Sequence, residues 1–313
     1  MTGVYGTGKS AFAHYLASLC APENSQVRQE ALAIAQHSFG ATSPAVKAIK
    51  ASLPKQGLFR AVATGQREPL SWTLARALAN GADIWWQGKR KPEVVRDLID
   101  WRTEVEEGEA QITSQQILNA IRDIIQSTKV NVFLIIDELG KNLEFAAHNQ
   151  GVDDLYLLQQ IAELRLKDES QVYFLGLLHQ SFAGYSERLA AVEQSEWSKI
   201  QGRFEDIAFT ESPSQMTRLI GQAINRTQAK PIAKILRSQA GDWLKALQAI
   251  LSDSEVSEKV LADVYPLHPL TALVLPNLCV RYAQNDRSLF TFLTSDEPYA
   301  FHRFLNSNKV END

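Results

Sequence analysis

Residues 3–10 read Gly-Val-Tyr-Gly-Thr-Gly-Lys-Ser, a complete G-x-x-x-x-G-K-[ST] pattern that begins at the third position of a 313-residue chain. In such a loop, glycines let backbone N–H groups turn inward around a phosphate. The lysine reaches the β and γ oxygens, and the hydroxyl ligates Mg²⁺. Gly3, Gly6, Thr7, Gly8, Lys9 and Ser10 are therefore the candidate nucleotide-contacting residues, with Ser10 also a candidate Mg²⁺ ligand. A loop of this kind joins a buried strand to a helix whose N-terminus faces the phosphates. Met1 and Thr2 are too short for a strand of the usual five or six residues. The expectation is a fragment of a longer chain, lacking the first strand of its sheet.

Composition narrows the class. With 45% hydrophobic and 22% charged residues, the chain can bury a core as one large domain or two smaller ones. A net charge of −4 argues against a surface that clings everywhere to nucleic acid, and leaves a local basic face open. Cys20 and Cys279 lack metal-ligand spacing and suit two packed thiols in a reducing compartment. The sequence contains neither a signal peptide nor an apolar run of the ~18 residues that suggests a membrane span. A soluble cytoplasmic protein with no membrane association is expected.

Periodicity predicts helices over Ser10–Leu19 and Ser25–Ser38, a strand at Leu58–Thr64, and a helical stretch over about 69–128. Trp72, Trp85, Trp86 and Trp101 fall in that stretch and read as core residues rather than base-stacking platforms. Val130–Ile136 is an almost wholly apolar, β-branched run, the pattern of a strand buried on both faces. Asp137 and Glu138 follow at its carboxyl end, where open α/β sheets bind ligands. Beside an intact phosphate loop, Asp137 reads as a Mg²⁺ ligand and Glu138 as the base that polarises an attacking water. The competing reading is a helix cap beyond a core strand.

A second buried strand, Gln171–Leu178, ends in His179 and Gln180, either of which is a candidate γ-phosphate sensor or a cap of the next helix. A helix over Asp153–Lys167 supplies the crossover between these two parallel strands. A helix over Phe182–Ile200 and a short strand within Gln201–Phe209 complete the α/β part. Arg203 precedes that strand. It is a candidate arginine finger, with surface pairing to Glu205 or Asp206 as the alternative.

This order of elements resembles the AAA+ and related signal-transduction branch of P-loop ATPases. In that branch an inserted strand separates the two Walker strands and a glutamate follows the Walker aspartate. Gly3–Ser10 matches Walker A, and Val132–Glu138 matches Walker B. The segments Ile135–Ala147, Leu177–Phe182, Tyr265–Pro269 and Gln284–Phe290 are similar to the ATPase module of large bacterial phage-defence proteins of the BREX type. The resemblance implies a three-layer parallel sheet binding ATP and Mg²⁺, with Lys9 and Ser10 on the phosphates and the ion. Asp137 would lie on the ion, Glu138 would be catalytic, and Arg203 would be the candidate finger.

From Ser212 onward only helical patterns occur, over about 231–251, 255–264 and 269–282, with Arg281 and Arg287 as candidate lid arginines. The expected organisation is a core at 1–211 carrying a helical insertion at about 69–128, followed by an incomplete helical lid at 212–313. ATP hydrolysis that drives a conformational change is the expected activity. A nucleotide-gated switch with little turnover is the alternative. Expected partners are further copies of the core, the remaining domains of the parent protein, and DNA or other defence-system proteins. The absence of an Asn-Lys-x-Asp guanine-reading motif favours adenine.

Overall fold

The computed structural model describes residues 1–4, 6–149, 152–166, 170–187, 189–209, 213–224, 231–248, 256–282 and 285–307. At 152–154, 213, 214, 248, 280 and 285–287 only the backbone is described. The chain divides into two compact units, residues 1–3 with 9–208 and residues 4–8 with 209–313.

The first unit is mixed α/β. Strands β1 (Phe59–Thr64), β2 (Val132–Asp137) and β3 (Val172–Gly176) form a parallel sheet in that order, with Phe59 opposite Val132 and Thr64 opposite Asp137. A parallel strand in the middle of a sheet needs cover on both faces, and residues 132–136 of β2 are all buried. Helix α1 (Lys9–Leu19) leads into α2 (Gln26–Phe39) and α3 (Pro44–Ser52), the latter two capped by the side chains of Ser25 and Ser43. Pro44 occupies the first turn of α3, where a missing N–H costs nothing.

Helices α4 (Leu70–Trp85), α5 (Glu93–Glu107) and α6 (Ser114–Thr128) fill the predicted helical stretch. Thr113 and Gln116 form a reciprocal capping box at the start of α6. Ala75, Ala79 and Ala82 on α4 are fully buried and let the helix approach β1 closely. Trp86 is buried and Trp72, Trp85 and Trp101 pack partly buried on the same core, as expected for packing residues.

Helices α7 (Gly140–His148) and α8 (Val152–Ala162) connect β2 to β3. The single helix expected over Phe182–Ile200 is two, α9 (Phe182–Ser186) and α10 (Ala191–Gln201). Ser181 caps the first of them. The Glu193 carboxylate accepts the Ala190 N–H at 3.0 Å, which gives the second helix its own start. The short strand expected within Gln201–Phe209 shrinks to an isolated bridge at Ala208, because it faces one paired residue, Thr2.

Met1–Gly3 lies between β3 and that bridge. The Met1 amine donates to Gly176 O at 2.8 Å, Leu178 N–H to Met1 O at 2.9 Å and Gly3 N–H to Leu178 O at 3.1 Å. On the other side Thr2 N–H donates to Ile207 O at 2.9 Å. Strand β3 therefore separates the loop-bearing segment from β2. Gln171 O and Leu177 N–H bond toward β2, so alternation turns the backbone groups of Val172, Phe174 and Gly176 toward the opposite edge. A cavity of about 250 Å³ lies along that edge, lined among others by Leu158, Phe174, Phe204 and Asp206. Burial lowers the pKa of the Met1 amine at its end, with Asp206 opposing and Lys9 adding to the shift.

The second unit is helical throughout its described residues 209–307. Its helices are α11 (Pro213–Ala223), α12 (Ala233–Gln248), α13 (Glu258–Asp263), α14 (Pro269–Tyr282), α15 (Asn285–Thr294) and α16 (Phe301–Ser307). Met216, Ile220, Val264 and Leu289 centre one cluster, and Ala240, Leu247, Val260 and Leu261 a second. The helix starts expected at Ser212 and Glu255 lie outside the described residues, and α13 starts from a Ser257 cap. Cys20 and Cys279 are free thiols. No helix among the described residues is long and apolar enough to cross a membrane.

One stability measurement checks this packing. A Cβ at Gly81 would lie 2.6 Å from Arg60 O and 2.8 Å from the Phe59 ring. Gly81→Ala is therefore expected to cost about 1–3 kcal/mol despite better helix propensity, read as a lower Tm.

Candidate active site

The segment Val4–Gly8 has Gly6 at φ 85° and Gly8 at φ 87°, left-handed values that suit residues without a Cβ. Thr7 Oγ1 donates to Val4 O at 3.0 Å and tightens the turn. Around Gly8 the space a Cβ would meet is open within 4 Å. Helix α1 starts at Lys9 with no acidic residue in its first turn, so its positive dipole end is not neutralised from within the helix. Lys9 is buried and its Nζ donates to Gly3 O at 2.5 Å. Burial lowers its pKa, and Asp137 opposes the shift. Ser10 is exposed on the same turn.

At the carboxyl end of β2, Asp137 Oδ1 accepts the Glu138 N–H at 2.9 Å, and Asp137 O accepts the Gly65 N–H at 2.7 Å. Glu138 has φ 54°, a left-handed conformation that costs a non-glycine residue about 1–2 kcal/mol. Its neighbours fix it there: Leu139 N–H donates to Leu177 O at 3.0 Å, and Lys141 N–H donates to Glu138 O at 3.0 Å. The Glu138 carboxylate is ion-paired with Lys141.

His179, just past β3, completes the group. Burial is the main cause of its lowered pKa, Lys9 adds to it, Glu138 and Asp137 oppose it, and Lys141 adds further. Lys9, Asp137, Glu138, Lys141 and His179 thus form one electrostatic cluster at the ends of two parallel strands and the start of α1. Of the two sensor candidates His179 is in this cluster, whereas the Gln180 side chain lies over Gly184 in α9.

Two features were invisible in the sequence. Lys141, three residues after Glu138, is the first. The second is a buried polar network beneath the acidic turn. Asn142 Nδ2 donates to Glu68 O at 3.0 Å and to Thr73 Oγ1 at 2.9 Å, and Thr73 Oγ1 donates to Glu68 Oε1 at 2.6 Å. Arg76 pairs with the same carboxylate. A Cβ on Gly65 would come 2.5 Å from Asn142 Oδ1 and 2.7 Å from Glu138 O. The spacing of Asn142 in an amphipathic helix gave no signal, because a lone amide reads as solvent-facing.

Arg203 donates through Nε to Glu163 Oε1 and through an Nη to Lys199 O at 2.6 Å. Its partner is therefore Glu163, whose pKa it lowers by hydrogen bonding, and not Glu205 or Asp206. Asp206 accepts from Thr2 Oγ1 at 2.7 Å. Arg281 is exposed on α14, and the side chain of Arg287 lies outside the described residues. Comparison with protein-family models, with curated proteins and with solved structures found no match.

Among the described residues no group of three or more His, Cys, Asp and Glu side chains could hold a metal ion. Ser10 and Asp137 offer a hydroxyl and one carboxylate. That set suits Mg²⁺, which keeps most of its waters and takes further oxygens from a phosphate. The left-handed glycines, the helix N-terminus and the buried lysine are groups that a phosphate anion would fit.

The His179 shift has a pH signature. Its folded pKa lies below the ordinary 6.5. As pH falls through that value the unfolded chain takes up a proton that the folded protein resists, so stability is lost toward acid. His179→Gln is expected to flatten the fall in Tm between about pH 7 and pH 5. Identical slopes in variant and parent would contradict the burial described.

Proposed function

We propose that this chain is an ATP-binding and ATP-hydrolysing module of the P-loop class, of the AAA+-like branch that its motif order resembles. One observation carries the reading. A buried lysine follows two left-handed glycines at a helix N-terminus and is electrostatically coupled to Asp137, the first of the acidic pair at the end of the central parallel strand. The position of β3 between Met1–Gly3 and β2 supports it, since that branch has a strand inserted between its Walker strands.

Lys9 would exchange the Gly3 carbonyl for β and γ oxygens, a move its desolvation favours because an anion restores the lost charge stabilisation. Bound Mg²⁺ supplies neutralisation of the charge on those oxygens. Ser10 and Asp137 would hold it. Glu138 would accept the proton of the attacking water, and neutral His179 would contact the γ-phosphate. Arg203 would serve a neighbouring subunit only after releasing Glu163. The helical second unit would be the lid. Further copies, other domains of a parent protein, and DNA or phage-defence proteins of the BREX type are the partners this resemblance points to.

A nucleotide-gated switch with little turnover is the second reading, favoured by the ion pair that occupies Glu138. Glu138→Gln separates the two. Under the enzyme reading the variant binds a fluorescent ATP analogue like the parent and releases phosphate about 10²–10⁴-fold more slowly. Lys9→Ala is expected to lose nucleotide binding. Equal phosphate release by Glu138→Gln and parent would reject Glu138 as the base, and parent protein that binds no ATP would reject the P-loop reading.

A further inference from the structure

The Lys141 ammonium sits on the carboxylate assigned above as the base, and the backbone leaves that carboxylate little choice of place. The Glu138 N–H is held by Asp137 Oδ1, its carbonyl by the Lys141 N–H, and the following N–H by Leu177 O. Gly65 abuts its carbonyl from β1, so close that a single Cβ there would collide with it. With the main chain fixed at φ 54°, side-chain rotation is the freedom left to Glu138. The three-residue turn into α7 brings Lys141 back over it. The Glu138 side chain is 27% exposed and that of Lys141 42%, so the pair lies at the mouth of the cluster and not out in solvent. His179, at the end of β3, is electrostatically coupled to both members of the pair, and also to Lys9 from α1 and Asp137 from β2.

On the ATPase reading above, we infer that Lys141 is a positioning residue that holds Glu138 in an unreactive pose until nucleotide arrives. A carboxylate whose lone pairs are taken by an ammonium accepts a proton poorly. The γ-phosphate carries more negative charge than one carboxylate, and lysine binds phosphate as a mobile point charge. The anion therefore draws the Lys141 ammonium away and releases Glu138 to the water. In the step that follows, the water oxygen bonds to the γ-phosphorus as the bond from that phosphorus to the β–γ bridging oxygen breaks. The water proton passes to Glu138, and ADP and phosphate leave. Catalysis is thus gated by the substrate.

Steady-state phosphate release by Lys141→Met, Lys141→Gln and Lys141→Arg tests this, with ATP-analogue binding and thermal melting measured in parallel. Removing the ammonium is expected to raise kcat about two- to fivefold, the worth of a half-exposed ion pair. KM is expected to rise, because these variants lose the ammonium that the γ-phosphate draws to itself. Lys141→Gln should behave like Lys141→Met, Lys141→Arg should restore parent behaviour, and Glu138→Gln should abolish the gain. Folded Lys141→Met and Lys141→Gln with kcat equal to or below the parent would overturn the inference alone. A parent whose phosphate release is absent, or is unaffected by Lys9→Ala, would overturn the ATPase reading and this inference with it.

Discussion

Strand β2 is paired on both edges and buried on both faces from Val132 to Ile136, and the rest of the first unit is arranged to keep it so. Residues without polar side chains cannot stop such a strand, so it ends where polarity returns, at Asp137. The return of polarity at a buried edge creates the site. Backbone groups released by the end of the ladder need partners, and Gly65, Leu139 and Leu177 supply or find them within one turn. The acidic pair is consequently presented by a backbone held from β1, from β3 and from α7 at once.

That rigidity has a cost which the structure meets locally. Glu138 occupies a left-handed conformation that isolated residues avoid, and it persists because the surroundings over-determine it. The Asn142, Thr73, Glu68 and Arg76 network lies just beneath. Burying a charged carboxylate is unfavourable unless its lone pairs are filled, and here Arg76 and the Thr73 hydroxyl fill them. Removing any one member leaves another unsatisfied, so the network behaves as a unit that fixes the loop after β1 against the turn after β2.

Elements with strong local signals were legible in the sequence. The apolar run of β2, the glycines and lysine of residues 3–10, and the helix α2 all report physical demands that neighbouring residues alone create. What was not legible depends on contacts far apart in the chain. The pairing of Arg203 with Glu163 across 40 positions, the buried amide of Asn142 and the division of the helix after Ser181 have no local signature. The same holds for the short extended segment near Ala208: its alternation suggested a strand, but a strand requires a partner of matching length, and Thr2 supplies one residue.

The charges of the cluster argue for its sensitivity to an anion. Lys9 and Lys141 contribute two positive charges, Asp137 and Glu138 two negative ones, and His179 is kept neutral by burial and by Lys9. The cluster is therefore balanced by its own side chains, each lysine already committed, one to the Gly3 carbonyl and one to Glu138. Adding a multiply charged anion to a balanced, partly desolvated set must displace existing pairs, because no spare cation in the set waits for it. The weaker commitment yields first. On the proposed ATPase reading, Lys9, tied to a neutral carbonyl, would turn to the phosphate before Lys141, tied to a full negative charge, and binding would precede release of the base.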